Sequence, residues 1–339
     1  MVNQNREQVV QYMLKLIAAK NQKVVAKTIE AFDGVTSKST IYNYLKELCA
    51  ENVICKNGTQ YELVEKTVNF SYHNDGMCSE DRMFSRDIEP LLKGFEKNVL
   101  SVWRYAFTEM MNNAIEHSKS KHIDVAVKMN AFNTTIVLAD DGIGIFKNIQ
   151  QYMQAKTNEE LTLSECAALL FAGKFTTAEN LHSGEGIFFT SHLMDEFTIV
   201  SDQVVFTRNN FVDRDFEPEQ IGQGTVVTMS LNNHSKKTTR SVFDRFSDID
   251  EGFVKTQIPI AHIFPGSGPI SRSEARRLGE LIGKFKEIDL DFTNVEEVGQ
   301  AFCHELFVVW QNRNPDVLLN VCNPCEDVEY MIRRVKNTK

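Results

Sequence analysis

Residues 107–118, with the sequence Phe-Thr-Glu-Met-Met-Asn-Asn-Ala-Ile-Glu-His-Ser, carry a carboxylate and an amide that could act together. Glu109 and Asn113 are four residues apart, so in a helix both side chains project from the same face. The carboxylate could orient a water molecule or a proton. The amide oxygen could ligate Mg²⁺, which prefers oxygen donors and keeps water and phosphate ligands. The alternative is a solvated polar face, because this spacing of Glu and Asn occurs on many surface helices.

A second group of polar residues follows two β-like runs, Ile123 to Met129 and Thr135 to Ala139, which alternate in the manner of antiparallel strands. Asp140, at the end of the second run, could accept a hydrogen bond from an exocyclic amino group. Gly142 and Gly144 would let the backbone approach a purine ring closely. The alternative is an ordinary acidic turn.

Two further glycine pairs complete the set. Gly184 and Gly186 precede an apolar run that begins at Ile187, so they stand where a helix would present free N–H groups and its positive dipole end to a phosphate. Gly222-Gln-Gly-Thr225 leads into the apolar run Val226 to Leu231, which is typical of a strand.

In this order and at these separations, the four segments resemble the N, G1, G2 and G3 boxes of the GHKL ATPase superfamily over roughly residues 84–232. This superfamily includes gyrase, heat-shock chaperones, histidine kinases, mismatch-repair ATPases and anti-sigma serine kinases. The resemblance implies that Glu109 activates or positions the attacking group and that Asn113 holds Mg²⁺. It implies that Asp140 recognises adenine and that Thr225 supports the base. The other implied contacts are with the base (Gly142 and Gly144) and with the phosphates of ATP (Lys174, Thr176, Gly184 and Gly186).

The same resemblance implies the Bergerat α/β sandwich, a sheet with helices on one face, in which residues 146–182 would form the ATP lid. One position departs from the family pattern. Glu185 lies between the two G2 glycines, where many members have a small or apolar residue. An acid close to phosphates is unfavourable unless it points away, so this departure bears on turnover more than on binding.

Length and composition limit the classes of protein that the chain can belong to. Its 339 residues predict two or three domains, and 10% aromatic residues argue against extensive disorder. No apolar run is long enough to span a bilayer and the N-terminus has no apolar signal core, so we expect a cytoplasmic protein without membrane contact. Seven dispersed cysteines favour reduced thiols. Cys322-Asn-Pro-Cys325 has no second pair to complete a zinc site.

Charge is distributed unevenly along the chain. The net charge of −9 argues against nonspecific nucleic-acid binding by the whole molecule. Residues 1–66, however, carry nine basic against seven acidic side chains, whereas residues 67–235 carry 13 against 23. The first segment is therefore a mildly basic module attached to an acidic one.

Residues 1–65 have the pattern of three helices (5–19, 24–32 and one that begins after Ser37) and a hairpin at Asn57-Gly58, the strongest short-range hairpin signal. This order resembles the winged helix-turn-helix. In that family the third helix enters the major groove of DNA and the wing follows the backbone. The resemblance implies DNA contacts at Lys38, Ser39, Thr40, Tyr42, Asn43, Lys46 and Lys56. A protein-interaction role is the alternative, and a homodimer would strengthen DNA binding by so small a module.

Residues 256–339 follow a polar connector at 236–255 and alternate β and α segments, beginning with a strand expected from Gln257 to His262. They predict a small open sheet covered by helices. The stretch from Leu290 to Phe302 resembles STAS-like domains. The helix start that carries a phosphoacceptor hydroxyl in anti-anti-sigma proteins reads Gly299-Gln-Ala301 here, so phosphorylation at that position is excluded. We expect this domain to bind a protein partner.

Together these patterns predict a multidomain α/β protein: a winged helix at 1–65, a GHKL ATP-binding domain at 66–235 and a STAS-like domain at 256–339. The favoured function is a regulator in which MgATP controls DNA or partner binding by the winged helix. The alternatives are an anti-sigma-type serine/threonine kinase, with Glu109 as base, and a slow ATPase clamp.

Overall fold

The computed structural model describes residues 2–75, 79–157, 161–175, 177, 184–202, 204–208, 223–264, 266 and 268–337. Buried apolar side chains in these ranges form three clusters, drawn from residues 9–54, 72–231 and 172–335, so the second and third overlap in sequence. The structure is mixed α and β, as the sequence predicted.

The first part of the chain is a helical module followed by a hairpin. Its elements are α1 (Val2–Ala18), α2 (Val24–Ala31), α3 (Lys38–Ala50), β1 (Ile54–Asn57) and β2 (Gln60–Leu63). Helix α3 begins where Ser37 accepts a hydrogen bond from the Thr40 amide at 3.2 Å, a side-chain cap of the kind that satisfies a free N–H. Gly58 takes the left-handed conformation, with φ of +59°, at the turn between the two antiparallel strands. We call residues 2–63 the N-terminal module.

A six-stranded antiparallel sheet forms the centre of the molecule, in the order β3-β4-β5-β8-β6-β7. Its strands are β3 (Lys66–His73), β4 (His122–Met129), β5 (Asn133–Asp140), β6 (Glu196–Ser201), β7 (Val204–Thr207) and β8 (Thr225–Asn232). Alternate residues of β4 are buried (Ile123, Val125 and Val127), so one face of the sheet contributes to the core.

Helices cover that face of the sheet. The longest, α5 (Lys97–His117), follows the short helical segment formed by α4 (Glu80–Met83), a π-helical turn (Phe84–Ile88) and a 3₁₀ turn (Glu89–Leu92). The others are α6 (Ile145–Thr157), α7 (Leu163–Ala172) and α8 (Gly186–Leu193). Trp103 and Phe107 of α5 are fully buried against the sheet, so the position of this helix is fixed by packing.

The last part of the chain has a parallel three-stranded sheet in the order β11-β12-β13. Its elements are α9 (Thr239–Phe246), the paired two-residue strands β9 (Ser247–Asp248) and β10 (Gly252–Phe253), β11 (Lys255–Pro259), α10 (Ile260–Ile263), α11 (Arg272–Ile282), β12 (Glu287–Asp291), α12 (Gln300–His304), a π-helical turn (Glu305–Trp310), α13 (Gln311–Arg313), β13 (Leu318–Cys322) and α14 (Glu326–Asn337). We call residues 252–337 the C-terminal module.

Two segments differ from the sequence expectation. The polar stretch at 236–251 contains α9, whose start is fixed by a capping box between Thr238 and Ser241 and which packs Phe243 and Phe246 against the neighbouring helices. The strand expected to reach His262 ends at Pro259, and α10 follows it. Proline has no N–H to continue the sheet ladder, which accounts for the end of the strand there.

Candidate functional site

A cavity of about 330 Å³ opens where α5, the ends of β5 and β8, and helices α6 to α8 meet. Its size lies within the range of small-molecule sites. Sequence-predicted residues that line it are Glu109, Asn113, Asp140, Gly184, Gly186 and Thr225. They come from four separate segments of the chain, so the fold brings together most of the residues that the motifs single out.

One face of α5 forms the polar wall of this cavity. Glu109, Asn113 and Glu116 succeed one another at intervals of four and three residues, and all line it, together with Asn112 and His117. Glu116 was not among the predicted site residues. The same helical spacing that joined Glu109 to Asn113 could have identified it.

The carboxylate of Glu109 lies directly against the start of α8. A Cβ atom placed on Gly186 would come within 2.2 Å of its Oε2 atom, so a side chain at this position would displace the carboxylate. Gly186 is the first residue of α8, where backbone N–H groups lack helical acceptors. The acidic side chain of the N box and the glycine of the G2 segment are therefore neighbours.

Asp140 occupies the end of β5, opposite Thr225 of β8 in the sheet register. Its Oδ1 atom accepts a hydrogen bond from the Gly142 amide at 2.9 Å. Burial raises the pKa of Asp140 to about 6, although hydrogen bonds from the backbone of Gly142 and Thr225 act in the opposite direction. The carboxylate is therefore charged above about pH 6 and available to accept a hydrogen bond from a ligand.

The glycines that follow Asp140 have a backbone role in this structure. A Cβ on Gly142 would lie 2.0 Å from the carbonyl oxygen of Ser118, and Gly144 has a φ of +83° with no room for a side chain beside Asp202. Neither lines the cavity. Gly142 allows the loop to pass close to Ser118 at the end of α5, and Gly144 allows it to pass close to Ser201 and Asp202 at the end of β6. Contact of these glycines with a base stays a prediction.

Thr225 fixes the opposite side of the same loop. Its hydroxyl oxygen accepts a hydrogen bond from the amide of Ile145, the first residue of α6, at 3.0 Å. Gly224, with a φ of +114°, passes so close to Asp140 that a Cβ would lie 1.9 Å from its carbonyl oxygen. The β8 end, the β5 end and the start of α6 are thereby held as one unit.

The expected phosphate side of the cavity is formed by Gly184, Glu185 and Gly186. Gly184 has a φ of +72° and packs against the backbone of Phe175. Lys174 is not among the lining residues, because its ammonium group lies over the rings of Phe253 and Phe285 at 5.5 and 4.9 Å. Burial lowers the pKa of Lys174, whereas the nearby Glu185 carboxylate acts to raise it. Thr176 lies outside the described residues.

Apolar side chains complete the cavity, and sequence reasoning did not identify them as site residues. They are Met110, Ala114, Leu138, Ile145, Ile149, Leu170, Phe175, Ile187, Ile199 and Val227. All but Phe175 lie on a helix or strand that also contributes side chains to the core. An apolar residue type at these positions therefore does not distinguish a site residue from a core residue. An apolar wall beside the Asp140 carboxylate suits a purine base with an exocyclic amino group.

The acidic residues around the cavity favour a negatively charged ligand that binds together with a metal cation. Glu109, Glu116, Asp140 and Glu185 line it, and no Lys or Arg does so among the residues that the structure describes. The described residues also contain no group of three or more His, Cys, Asp or Glu side chains that could hold a metal by themselves. Mg²⁺ fits such a site, because it takes one or two protein oxygens and completes its shell with water and substrate phosphates. The amide of Asn113 would supply the protein oxygen.

The antiparallel sheet, its helical cover and this cavity define an ATP-binding domain of the GHKL class. Residues 101–235 match the family model described as histidine kinase-, DNA gyrase B-, and HSP90-like ATPase. Residues 274–329 match the STAS-like domain of unknown function (DUF4325). The chain thus contains a GHKL-type ATPase domain and a STAS-like domain, which confirms both resemblances. No curated protein matches the chain.

The residues predicted to contact DNA share one surface of the N-terminal module. Lys38, Ser39, Tyr42, Asn43 and Lys46 are exposed on α3, and Thr40 is half-buried beside them. Lys38, Tyr42 and Lys56 of the hairpin line a groove of about 560 Å³ between α2, α3 and the hairpin. Among the described parts of the chain, no helix has the length and apolar character needed to cross a membrane.

Proposed function

We propose that the protein is an ATP-dependent regulator in which MgATP, held in the central cavity, controls the binding of DNA by the N-terminal module. The observation that carries this proposal is the convergence of Glu109, Asn113 and Asp140 on one cavity within the matched ATPase domain.

Each side chain has a role that follows from its chemistry. Asp140, charged at neutral pH, would accept a hydrogen bond from the adenine amino group, and the apolar wall would hold the ring. Asn113 would ligate Mg²⁺, which neutralises phosphate charge when it is bound. Gly186, which lines the cavity at the start of α8, would meet the phosphates where backbone N–H groups favour anions.

The N-terminal module has the surface that DNA binding requires. Its helix α3 presents polar and basic side chains to solvent on one face, and the hairpin adds Lys56 beside it. The excess of basic residues over acidic ones in residues 1–66 supports the same partner. Because the module is small and carries few cations, we propose that the protein binds DNA as a homodimer.

A second candidate is a serine/threonine kinase that acts on a separate protein. It is supported by the position of Glu109, which lines the cavity one turn from Asn113 and could take a proton from an attacking hydroxyl. The STAS-like module would then offer a docking surface for a partner. A slow ATPase clamp is distinguished by ATP-dependent dimerisation without phosphoprotein.

The test follows three signals in one reaction of purified protein with radiolabelled MgATP: bound nucleotide, released phosphate and labelled protein. In parallel, polarisation of labelled DNA duplexes, selected with the full-length protein from a randomised pool, is measured with and without ATP. We expect bound nucleotide and a change in DNA affinity for the natural protein, and a smaller amount of bound nucleotide and a smaller change in DNA affinity at the same ATP concentration for Asp140→Asn. DNA affinity that ATP leaves unchanged would overturn the regulatory proposal, and phosphate transfer to an added partner would favour the kinase.

A further inference from the structure

Helix α7, one wall of the cavity, is attached to the C-terminal module at both of its ends. At its first turn, Glu165 forms an ion pair with Arg277 of α11. At its last residue, the carbonyl oxygen of Ala172 accepts a hydrogen bond from the hydroxyl of Thr256 at 2.7 Å. Thr256 is buried in β11, so this hydrogen bond is shielded from water.

Arg208, which follows β7, joins three elements at the same place. Its guanidinium donates hydrogen bonds to the carbonyl oxygen of Phe171 in α7, to the hydroxyl of Ser191 in α8 at 2.8 Å, and to the carbonyl oxygen of Gln257 in β11 at 3.3 Å. It also lies over the ring of Phe188, 4.8 Å from the centroid. The planar fork of arginine suits such a three-way contact, which the single ammonium of lysine does not reproduce.

Phe253 of the C-terminal module packs against α8 and against the chain just after α7. A Cβ on Gly173, just after α7, would lie 2.8 Å from its ring, so the chain passes here only because glycine has no side chain. The rings of Phe188 and Phe189 in α8 lie 4.6 and 5.0 Å from the Phe253 ring between centroids. Phe188, Phe189 and Phe253 belong to the same buried cluster as the core of the C-terminal module.

Helices α7 and α8 therefore contribute to both the cavity wall and the core of the C-terminal module, the latter through Ala172 of α7 and Phe188 of α8. Leu170 and Ile187 line the cavity. Their neighbours Phe171 and Phe188 contact Arg208 and, for Phe188, the Phe253 ring. Because packed cores change between discrete arrangements and do not deform continuously, α7 cannot shift toward or away from a nucleotide without disturbing the packing beneath it.

We infer that the docked C-terminal module sets the position of the nucleotide-binding wall, with Arg208 as the positioning residue that holds α7, α8 and β11 together. This inference rests on the proposed nucleotide site. It assigns the STAS-like module as the element through which a protein partner would change nucleotide affinity. By linkage, nucleotide would change the affinity for that partner by the same factor.

Thr256→Val tests the inference without altering the cavity or the volume of the core. We expect it to weaken MgATP binding about fivefold, because α7 loses a buried hydrogen bond. Arg208→Met should weaken MgATP binding by about tenfold or more. Arg208→Lys should recover only part of the loss. The matched control is Thr134→Val, because Thr134 is also a buried threonine whose hydroxyl donates a hydrogen bond, to Asn233 at 2.8 Å, but at the far end of β5.

The measurements are calorimetric titration with MgATP and hydrogen exchange of β11, α11 and α14 with and without nucleotide. We expect nucleotide to slow exchange in these elements of the natural protein and to do so less in Arg208→Met. If the natural protein gives no binding heat, the proposed function fails. If it binds MgATP normally but Thr256→Val and Arg208→Met bind equally well, and exchange in the C-terminal module does not respond, then this inference alone is overturned.

Discussion

The ATPase domain meets its two neighbours in different ways. Toward the N-terminus the contact is made by a turn, in which Ala131 and Phe132 between β4 and β5 pack against the core of the N-terminal module. Gln11 and His234 add one side-chain contact at 2.9 Å. Toward the C-terminus the contact is made by two of the cavity helices: Phe188 and Phe189 of α8 and Ala172, the last residue of α7, lie in the buried cluster of the C-terminal module.

The two junctions also lie at opposite ends of the same strands. Strands β5 and β8 pair along their full lengths, with Asp140 opposite Thr225 at the cavity and Asn133 opposite Asn232 at the far end. Seven residue steps at about 3.4 Å each separate these ends by about 24 Å. A nucleotide in the cavity would therefore contact elements shared with the C-terminal module, whereas among the described residues the N-terminal module is reached from the cavity through the sheet.

The comparison predicts which substitutions disturb nucleotide binding and which disturb only a neighbour. The largest effect should come from Gly142→Ala, because the added Cβ would lie 2.0 Å from a backbone oxygen, which cannot rotate away. We expect a loss of about 3 kcal/mol in the unfolding free energy of the central domain, measured by denaturant titration. Gly58→Ala, which meets open space in the hairpin turn, should cost about 1 kcal/mol and leave nucleotide binding intact. Equal losses for the two variants would contradict the close packing at Gly142.

Asp140→Asn should come next, with a loss of roughly 1.5–3 kcal/mol of ATP binding free energy, measured by calorimetry, because a charged hydrogen-bond acceptor is replaced. The natural protein should also bind ATP more weakly as the pH falls below about 6, since protonation removes the acceptor charge of Asp140. Above that pH the carboxylate is ionised and affinity should be constant. ATP binding by Asp140→Asn should not depend on pH in this way. If the variant shows the same pH dependence as the natural protein, then a group other than Asp140 is responsible for it.

Phe132→Ala and Phe243→Ala compare the two junctions directly, because both rings are half-buried between modules. Phe243 packs on Tyr105, one helical turn before Glu109, at 5.4 Å between ring centroids, and on Phe189 of α8 at 4.1 Å. Each change should cost about 1–3 kcal/mol of stability. Only Phe243→Ala should also lower ATP affinity, by severalfold, in a titration with MgATP. A comparable loss of affinity in Phe132→Ala would show that the sheet transmits changes as readily as the helices.

The smallest effect should come from Arg277→Ala, which removes the partly exposed ion pair to Glu165 of α7 and should change ATP binding by less than about 1 kcal/mol. High salt should reduce the difference between this variant and the natural protein. The neighbouring Arg276→Ala is the control, because Arg276 pairs with Glu305 inside the C-terminal module at 2.8 Å. If Arg276→Ala weakens ATP binding more than Arg277→Ala does, then the contact at Glu165 has no part in positioning α7.

The sequence alone determined the features that depend on short spacing along the chain. The common helical face of Glu109 and Asn113, the hairpin at Asn57-Gly58 and the alternation of β4 follow from the periods of helix and strand, which a few residues are enough to define. The order of four motifs then indicated the GHKL class, which the match to residues 101–235 confirms.

Only the tertiary structure decided where the side chains with several possible partners lie. Lys174 had the chemistry of a phosphate contact, but its ammonium lies over Phe253 and Phe285, which are distant in sequence. The polar stretch at 236–251 contains α9 because its phenylalanines pack against the cavity helices, which are distant in sequence. Periodicity in a single sequence shows which face of a helix or strand is buried, but it does not show which distant segment packs against that face.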